Sequence, residues 1–389
     1  MSDDTDYGWK LYKVSDFAEV VGGGTPSTND QTNFGEDIPW ITPKDLSTHQ
    51  SRYISRGERS LSAKGLAGSS AKRLPAGTVL VSSRAPIGLT AVALNEVSTN
   101  QGCRSLIPKA DLADSEFVYY LMTASTDYLH QHANGTTFME LSGGVFKNLE
   151  FMLPPIKDQR RIAEVLGALD DRIDVLRRLQ SLLQDEARAR LALAFVDGAD
   201  EVKLEDIVEV VMGNSPPGSS YNTEGTGTPL FQGCAEFGFR YPSERLYTTQ
   251  PSRMAAANDT LVSVRAPVGK LNRASGACSI GRGLAAVRSQ KYPSLTYYAL
   301  DASEDVWDPY NSEGTVFGSI NGGSLRGLNL TWPADPDVLE QQLRGIDNAI
   351  TRFAVEETEL ASARAVLLPA LVTGELRVAA AEDLVGAAT

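Results

Sequence analysis

"SSRAPIG" at residues 82–88 and "SVRAPVG" at residues 263–269 write the same frame, Arg-Ala-Pro-aliphatic-Gly, twice in a chain of 389 residues. Self-similarity of this kind is the signature of a repeated structural unit, and it extends in both directions. Upstream, "YKVSDFAEVVGGGTP" (12–26) pairs with "VKLEDIVEVVMGNSP" (202–216), and "IPWI" (38–41) pairs with "TPLF" (228–231). Downstream, "FVYYLM" (117–122) matches "LTYYAL" (295–300). "GTTFMELSGGVFKNLEFMLP" (135–154) then matches "GTVFGSINGGSLRGLNLTWP" (314–333) without a gap. The frame is shared and the filling between anchors diverges, as in two similar domains with different specificities.

Each copy runs into a long apolar heptad pattern. In the first, Ile162, Leu169, Leu176 and Leu183 step by seven, with Leu166 and Ile173 in the alternate seam. In the second, Ile346, Phe353, Leu360 and Leu367 step by seven, with Leu343 and Ile350 between. Such a stripe suits a coiled-coil seam or an ordinary core-facing helix. Two equivalent helices favour the first, because each is the nearest complementary surface for the other. Pro154-Pro155 and Pro333 through Pro336 precede the helices, and Gly198 and Gly374 follow them, where start and stop residues belong.

Within the copies, "AGTVLVSSRAPIG" and "NDTLVSVRAPVG" read as strands entering Pro/Gly turns, and "DSEFVYYLMTASTDYLHQH" and "SLTYYALDASEDVWD" read as helices. "ELSGGVFKNLEFMLP" reads as a glycine turn followed by an alternating strand. The expectation is a mixed α/β fold: two similar α/β domains in internal repeat, separated by two long helices forming an antiparallel coiled coil. The boundaries are 10–155 for the first domain, 156–198 for the first helix, 199–334 for the second domain and 335–378 for the second helix. Residues 379–389 are expected to be a flexible tail.

Composition narrows the function. Hydrophobic residues make up 42% and charged residues 22%, ordinary for a globular protein, and no apolar run is long enough to span a membrane. The acidic start "MSDDTDYGWK" is no secretory signal, and a cytoplasmic location is expected. Cys103, Cys234 and Cys278 are scattered and suggest neither disulfides nor zinc. His130 and His132 flank Gln131 with only His49 besides, which suits a helix surface better than a metal site. Gly22-Gly23-Gly24 lacks the lysine of a phosphate loop, and "NSPPG" (214–218) lacks the aromatic residue of an amino-methyltransferase motif. No catalytic constellation emerges, and the chain reads as a binding device. The net charge of −13 opposes nucleic acid. The acid, however, falls largely on the helices and tails, leaving both domains near neutral and open to local basic faces.

Two domains opening "VSDFAEVVGGGTP" and "LEDIVEVVMGNSP", with "SSRAPIG" and "NQGCRSL" inside, resemble the target recognition domains of type I restriction-modification specificity subunits. "LPPIKDQRRIAEVLGALDDRI" is similar to that family's first conserved helical region, and "LLPALVTGELRV" (367–378) to the close of its second. The resemblance covers about residues 10 to 378. The second helix departs from it, since "DVLEQQLRGIDNAI" lacks the Gln-Arg-Arg of the first copy, and "SIGRGL" stands where the first copy has "NQGCRSL".

The resemblance implies a subunit without catalysis or cofactor of its own that reads a bipartite site on double-stranded DNA, one domain per half. Its implied partners are two modification subunits, which carry S-adenosylmethionine, and restriction/translocase subunits, which use ATP and Mg. Base edges are read by Arg, Lys, Asn and Gln, while phosphate contacts fix register. The candidate DNA-binding residues are Thr25, Ser27, Lys44, Arg84, Gln101, Arg104, Thr136 and Lys147 in the first domain. Those in the second are Ser215, Gln232, Arg265, Lys270, Arg282 and Thr315. Arg84 and Arg265 recur in both copies and so suit phosphate contact or structure; unmatched residues such as Gln101 and Lys270 suit base reading. A non-catalytic scaffold of a related defence complex, without DNA reading of its own, is the alternative.

Overall fold

The structure, a computed structural model, describes residues 8–84, 86–135, 139–311 and 318–386, the side chains only as far as Glu382. It divides into two compact units, Met1–Val175 with Glu357–Thr389, and Leu176–Glu356. Both are mixed α/β, and the second repeats the order of the first unit's closing pair and of four of the five strands in its central sheet.

In the first unit, Lys10–Lys13 pairs antiparallel with Glu150–Leu153, which closes the domain just before the long helix begins. A five-stranded sheet runs in the order Ala18–Gly22, Cys103–Pro108, Val79–Ser82, Thr90–Ala93, Tyr53–Ile54. A second sheet holds Ile38–Ile41 parallel to Ser98–Thr99. The second unit repeats the closing pair as Ala199–Lys203 with Asn329–Pro333. It repeats the central sheet as Glu209–Met212, Leu284–Arg288, Thr260–Ser263, Leu271–Arg273. It repeats the parallel pair as Thr228–Phe231 with Cys278–Ile280.

Around the duplicated Arg-Ala-Pro, the same serine contacts and the same glycine conformation recur in both places. Ser82 Oγ donates to the Pro86 carbonyl at 2.6 Å and accepts from the Leu89 amide at 2.9 Å; Ser263 does the same with Pro267 and Lys270. Gly88 and Gly269 sit at φ +88° and +86°, which side-chain-bearing residues rarely adopt. A Cβ at Gly269 would also meet the Trp307 ring at 2.3 Å. Serine and glycine therefore write the turn, and the arginine side chains take no part in these bonds.

The first long helix spans Ile156–Asp197 and the second Pro336–Thr373, each stopped by a glycine at positive φ, Gly198 and Gly374. In the first unit, Ile162, Leu166 and Leu169 pack in one core with Leu367, Leu368 and Leu371, and Arg364 bonds Asp170. In the second unit, Ala187 and Leu191 pack with Leu339 and Leu343, and Arg190 bonds Gln342 at 3.0 Å. The first helix meets the second at Asp170 with Arg364 and further along at Arg190 with Gln342, so the pairing is antiparallel. Each fully buried leucine of this seam contributes roughly 1.5–3 kcal/mol.

The heptad reading needs correction in the middle. Ile162, Leu166, Leu169, Ile173, Leu176, Leu343, Ile350 and Leu367 are buried, but Leu183, Ile346, Phe353 and Leu360 are only half-buried. On the first helix the buried line continues through Gln180, Gln184, Ala187 and Leu191. A straight α-helix drifts about 20° per heptad from a strict seven-residue repeat. The buried face therefore follows 3.6 residues per turn and leaves Leu183 at its margin.

Two further expectations are revised. The glycine turn before Glu150–Leu153 is a short helix, Gly143–Asn148, because Ser142 caps it by accepting from the Val145 amide. The stretch expected as a tail is helical over Val378–Gly386, with Ala381 buried and Glu382 paired to Arg161 at 2.7 Å.

Candidate nucleic-acid interface

The sheets place the candidate residues at strand ends and in the loops that follow them. Pairing Cys103 with Ser82 and Leu284 with Ser263 fixes how the two units correspond. On that register Gln101 corresponds to Arg282, while Arg104 corresponds to Ala285, a match the sequences did not reveal. Gly24 and Asn214 confirm it, their amides donating to the Thr99 and Ile280 carbonyls at 2.9 Å.

In the first unit the side chains form a connected chain. Exposed Thr25 donates to Gln101 Oε1. Arg104, on the strand Cys103–Pro108, donates Nη1 to the Gln101 and Cys103 carbonyls, both at 3.1 Å, and Nη2 to Glu140 at 3.2 Å. Arg84 reaches the same Glu140 carboxylate at 3.0 Å. Arg104 lies opposite Gly22 in the sheet, and neither Gly22 nor Gly143 carries a side chain to crowd its guanidinium. The second unit fills that place with Met212 opposite Ala285.

The remaining candidates of this unit lie apart. Lys44 pairs with Glu58 at 2.6 Å on the surface, which holds its ammonium above the ordinary lysine range. Ser27 is exposed, and its carbonyl accepts from Asn33 at 3.0 Å. Lys147 is exposed in the last turn of Gly143–Asn148. Thr136 lies outside the described residues.

In the second unit Ser215 donates to Gln232 Oε1 at 2.8 Å, and Gln232 Nε2 donates to the Tyr221 hydroxyl at 2.7 Å. The Arg282 amide donates to Ser215 Oγ at 3.3 Å, bringing Ser215, Gln232 and Arg282 together. Arg265, Lys270 and Arg282 are exposed, and none forms an ion pair among the described residues. Thr315 lies outside the described residues. The two units thus carry different polar side chains, Thr25 with Gln101 and Ser215 with Arg282, at equivalent points of one frame.

Sequence reasoning missed the buried charges that fasten each domain to its helices. In the first unit Arg52, 6% exposed, bonds the Tyr120 hydroxyl at 2.9 Å and Asp171 at 2.8 Å. Tyr120 in turn donates to Asp170 at 2.8 Å. In the second unit Arg240 and Arg273 converge on Asp347, and Tyr298 donates to the same carboxylate at 3.1 Å. Tyr120 and Tyr298 hold the same place in "FVYYLM" and "LTYYAL", and that recurrence was the available signal.

A second fastening uses Gln159, which accepts from the Asp114 amide at 3.0 Å and donates to the Leu112 and Pro154 carbonyls at 2.9 Å. Glu340 does equivalent work in the second unit, accepting from the Leu295 amide at 2.8 Å. The second copy therefore lacks the Gln-Arg-Arg letters but keeps an acceptor at the start of the domain's helix. Among the described residues no three His, Cys, Asp or Glu side chains gather as a metal site, and no helix is long and apolar enough to cross a membrane.

Comparison with known proteins fits this architecture. Residues 7–184 match the family model of the type I restriction modification DNA specificity domain. The chain is 43% identical over 191 residues, 49% of its length, to the type I restriction enzyme MjaIX specificity subunit of Methanocaldococcus jannaschii. It is 31% identical over 150 residues, 38% of its length, to the HindI specificity subunit of Haemophilus influenzae. The matched stretches span 44% and 32% of those relatives' own lengths. The fold is shared with the type I restriction-modification S subunit of M. genitalium at a TM-score of 0.64 and 15% identity, over 95% of this chain and 98% of that one. Residues 7–184, less than half of the chain, are thus similar to the type I restriction modification DNA specificity domain, and the stretches matched to these curated relatives span less than half of their length.

Proposed function

We propose that this chain is the non-catalytic, DNA-reading subunit of a type I restriction-modification complex. One half of a bipartite double-stranded site is read by residues 10–155 and the other by 199–334. Methyltransferase subunits, which bring S-adenosylmethionine, and restriction subunits, which bring ATP and Mg, dock on the long helices. The complex works in the cytoplasm. The observation that carries this reading is the pair of equivalent polar clusters, Thr25 with Gln101 and Ser215 with Gln232 and Arg282. A shared frame with different donors and acceptors is what two readers of different base sequences need. The test is to exchange residues 10–155 for the matching domain of a relative and read the methylated motif. One half-site should change and the other should stay.

A further inference from the structure

Arg84 and Arg265 hold the same place in the two units. Each enters an isolated antiparallel bridge to the loop that follows the domain's helices, Arg84 to Glu140 and Arg265 to Ser319. The neighbouring main-chain bonds also correspond, Leu141 to Ser83 at 2.9 Å and Ile320 to Val264 at 3.0 Å. Bridge partners present their side chains on the same side, where opposite charges attract. In the first unit the partner is a carboxylate, and it accepts from two arginines, Arg84 at 3.0 Å and Arg104 at 3.2 Å. In the second unit the partner is an exposed serine, and Arg265 stands without an ion pair among the described residues.

From this asymmetry, and resting on the DNA reading above, we infer that Glu140 is an electrostatic brake on the first recognition domain. It engages Arg84 and Arg104 internally and leaves phosphate neutralisation mainly to Arg265, Lys270 and Arg282 of the second. Indiscriminate DNA binding is dominated by phosphate neutralisation. A carboxylate among the arginines lowers that contribution and repels phosphate directly. The first domain then engages DNA closely only where other contacts compensate for displacing Glu140. The second domain supplies the sequence-independent hold.

The test uses the full chain, a labelled duplex of mixed sequence, and binding measured across a salt series. Glu140→Gln keeps the side chain's size and the main-chain bonds to Asn134 at 2.9 and 3.0 Å while removing the charge. It should steepen the plot of log affinity against log salt by about one unit, a gain of roughly three- to four-fold between 200 and 50 mM salt. Ser319→Glu places a carboxylate opposite Arg265 and should flatten the slope by a similar amount. Unchanged slopes in both variants overturn the brake. A weaker Glu140→Gln protein that loses discrimination at one base pair overturns it too, because Glu140 would then be reading a base. A wild-type chain without salt-dependent binding overturns the DNA reading, and the brake with it.

Discussion

Replacing Asp347 with alanine should loosen the second unit far more than replacing Asp171, the carboxylate that answers Arg52, loosens the first. Asp347 is 8% exposed in its side chain, and it answers two guanidiniums that are 1% and 3% exposed, Arg240 and Arg273. The rings of Tyr297 and Tyr298 lie against Arg240, and the Asn258 carbonyl accepts from Arg273 at 3.2 Å, but neither carries a compensating negative charge. Breaking a buried pair by removing one partner costs about 3–5 kcal/mol, since it strands the remaining charge. In the first unit Asp171 is 67% exposed, and Arg52 keeps Glu116 at 3.4 Å when Asp171 is removed. Asp171→Ala should therefore cost less than about 1 kcal/mol. Hydrogen exchange followed by mass spectrometry on Pro293–Ala302, the helix carrying Tyr298, separates the two outcomes. Where exchange reports the opening equilibrium, about 3 kcal/mol makes Asp347→Ala exchange over a hundredfold faster there. Acceleration below tenfold, or equal effects of the two variants on their own domains, would refute the reasoning.

Two further outcomes follow from the geometry. Burial pushes the Cys103 and Cys278 thiols up to about 12, whereas Cys234 is half-buried. A thiol reagent at pH 8 should therefore modify one cysteine in the native protein and three after denaturation; fast native labelling of Cys103 or Cys278 would contradict the packing. Inserting seven residues between Leu176 and Leu183 lengthens the first long helix by about 10 Å, roughly three base pairs at 3.4 Å each. If that helix sets the gap between half-sites, methylation on DNA of varied spacing should shift to a longer spacer. An unchanged preference in a folded insertion protein would place the ruler elsewhere.

The repeat was legible because its anchors are backbone constraints. Gly88 and Gly269 need positive φ, and Ser82 and Ser263 close the same turn, so both copies had to keep those letters. The buried helix faces were legible at their ends, where Ile162 to Ile173 still keep heptad phase. They were lost at Gln180 and Gln184, whose burial no apolar pattern announces. The fastening of domain to helix was not legible. Arg52 and Asp171 are 119 residues apart, and only the folded chain brings them together. Glu140 carries no sequence signal of its own, because DNA contact calls for donors and cations, whereas this carboxylate answers them. Gly143–Asn148 reads as a turn in the sequence because of its two glycines, and in the fold the capping Ser142 outweighs them.

The measurement that bears most directly on the account is the methylated motif written by a complex containing this chain, compared with the motif written after residues 10–155 are exchanged for a relative's domain. The account predicts a split motif, two short specified sequences separated by a fixed nonspecific gap with adenine methylated in each. The exchanged protein should change one sequence and leave the other and the gap intact. A continuous motif, a change in both halves, or methylation unaffected by the exchange would contradict independent reading by two domains.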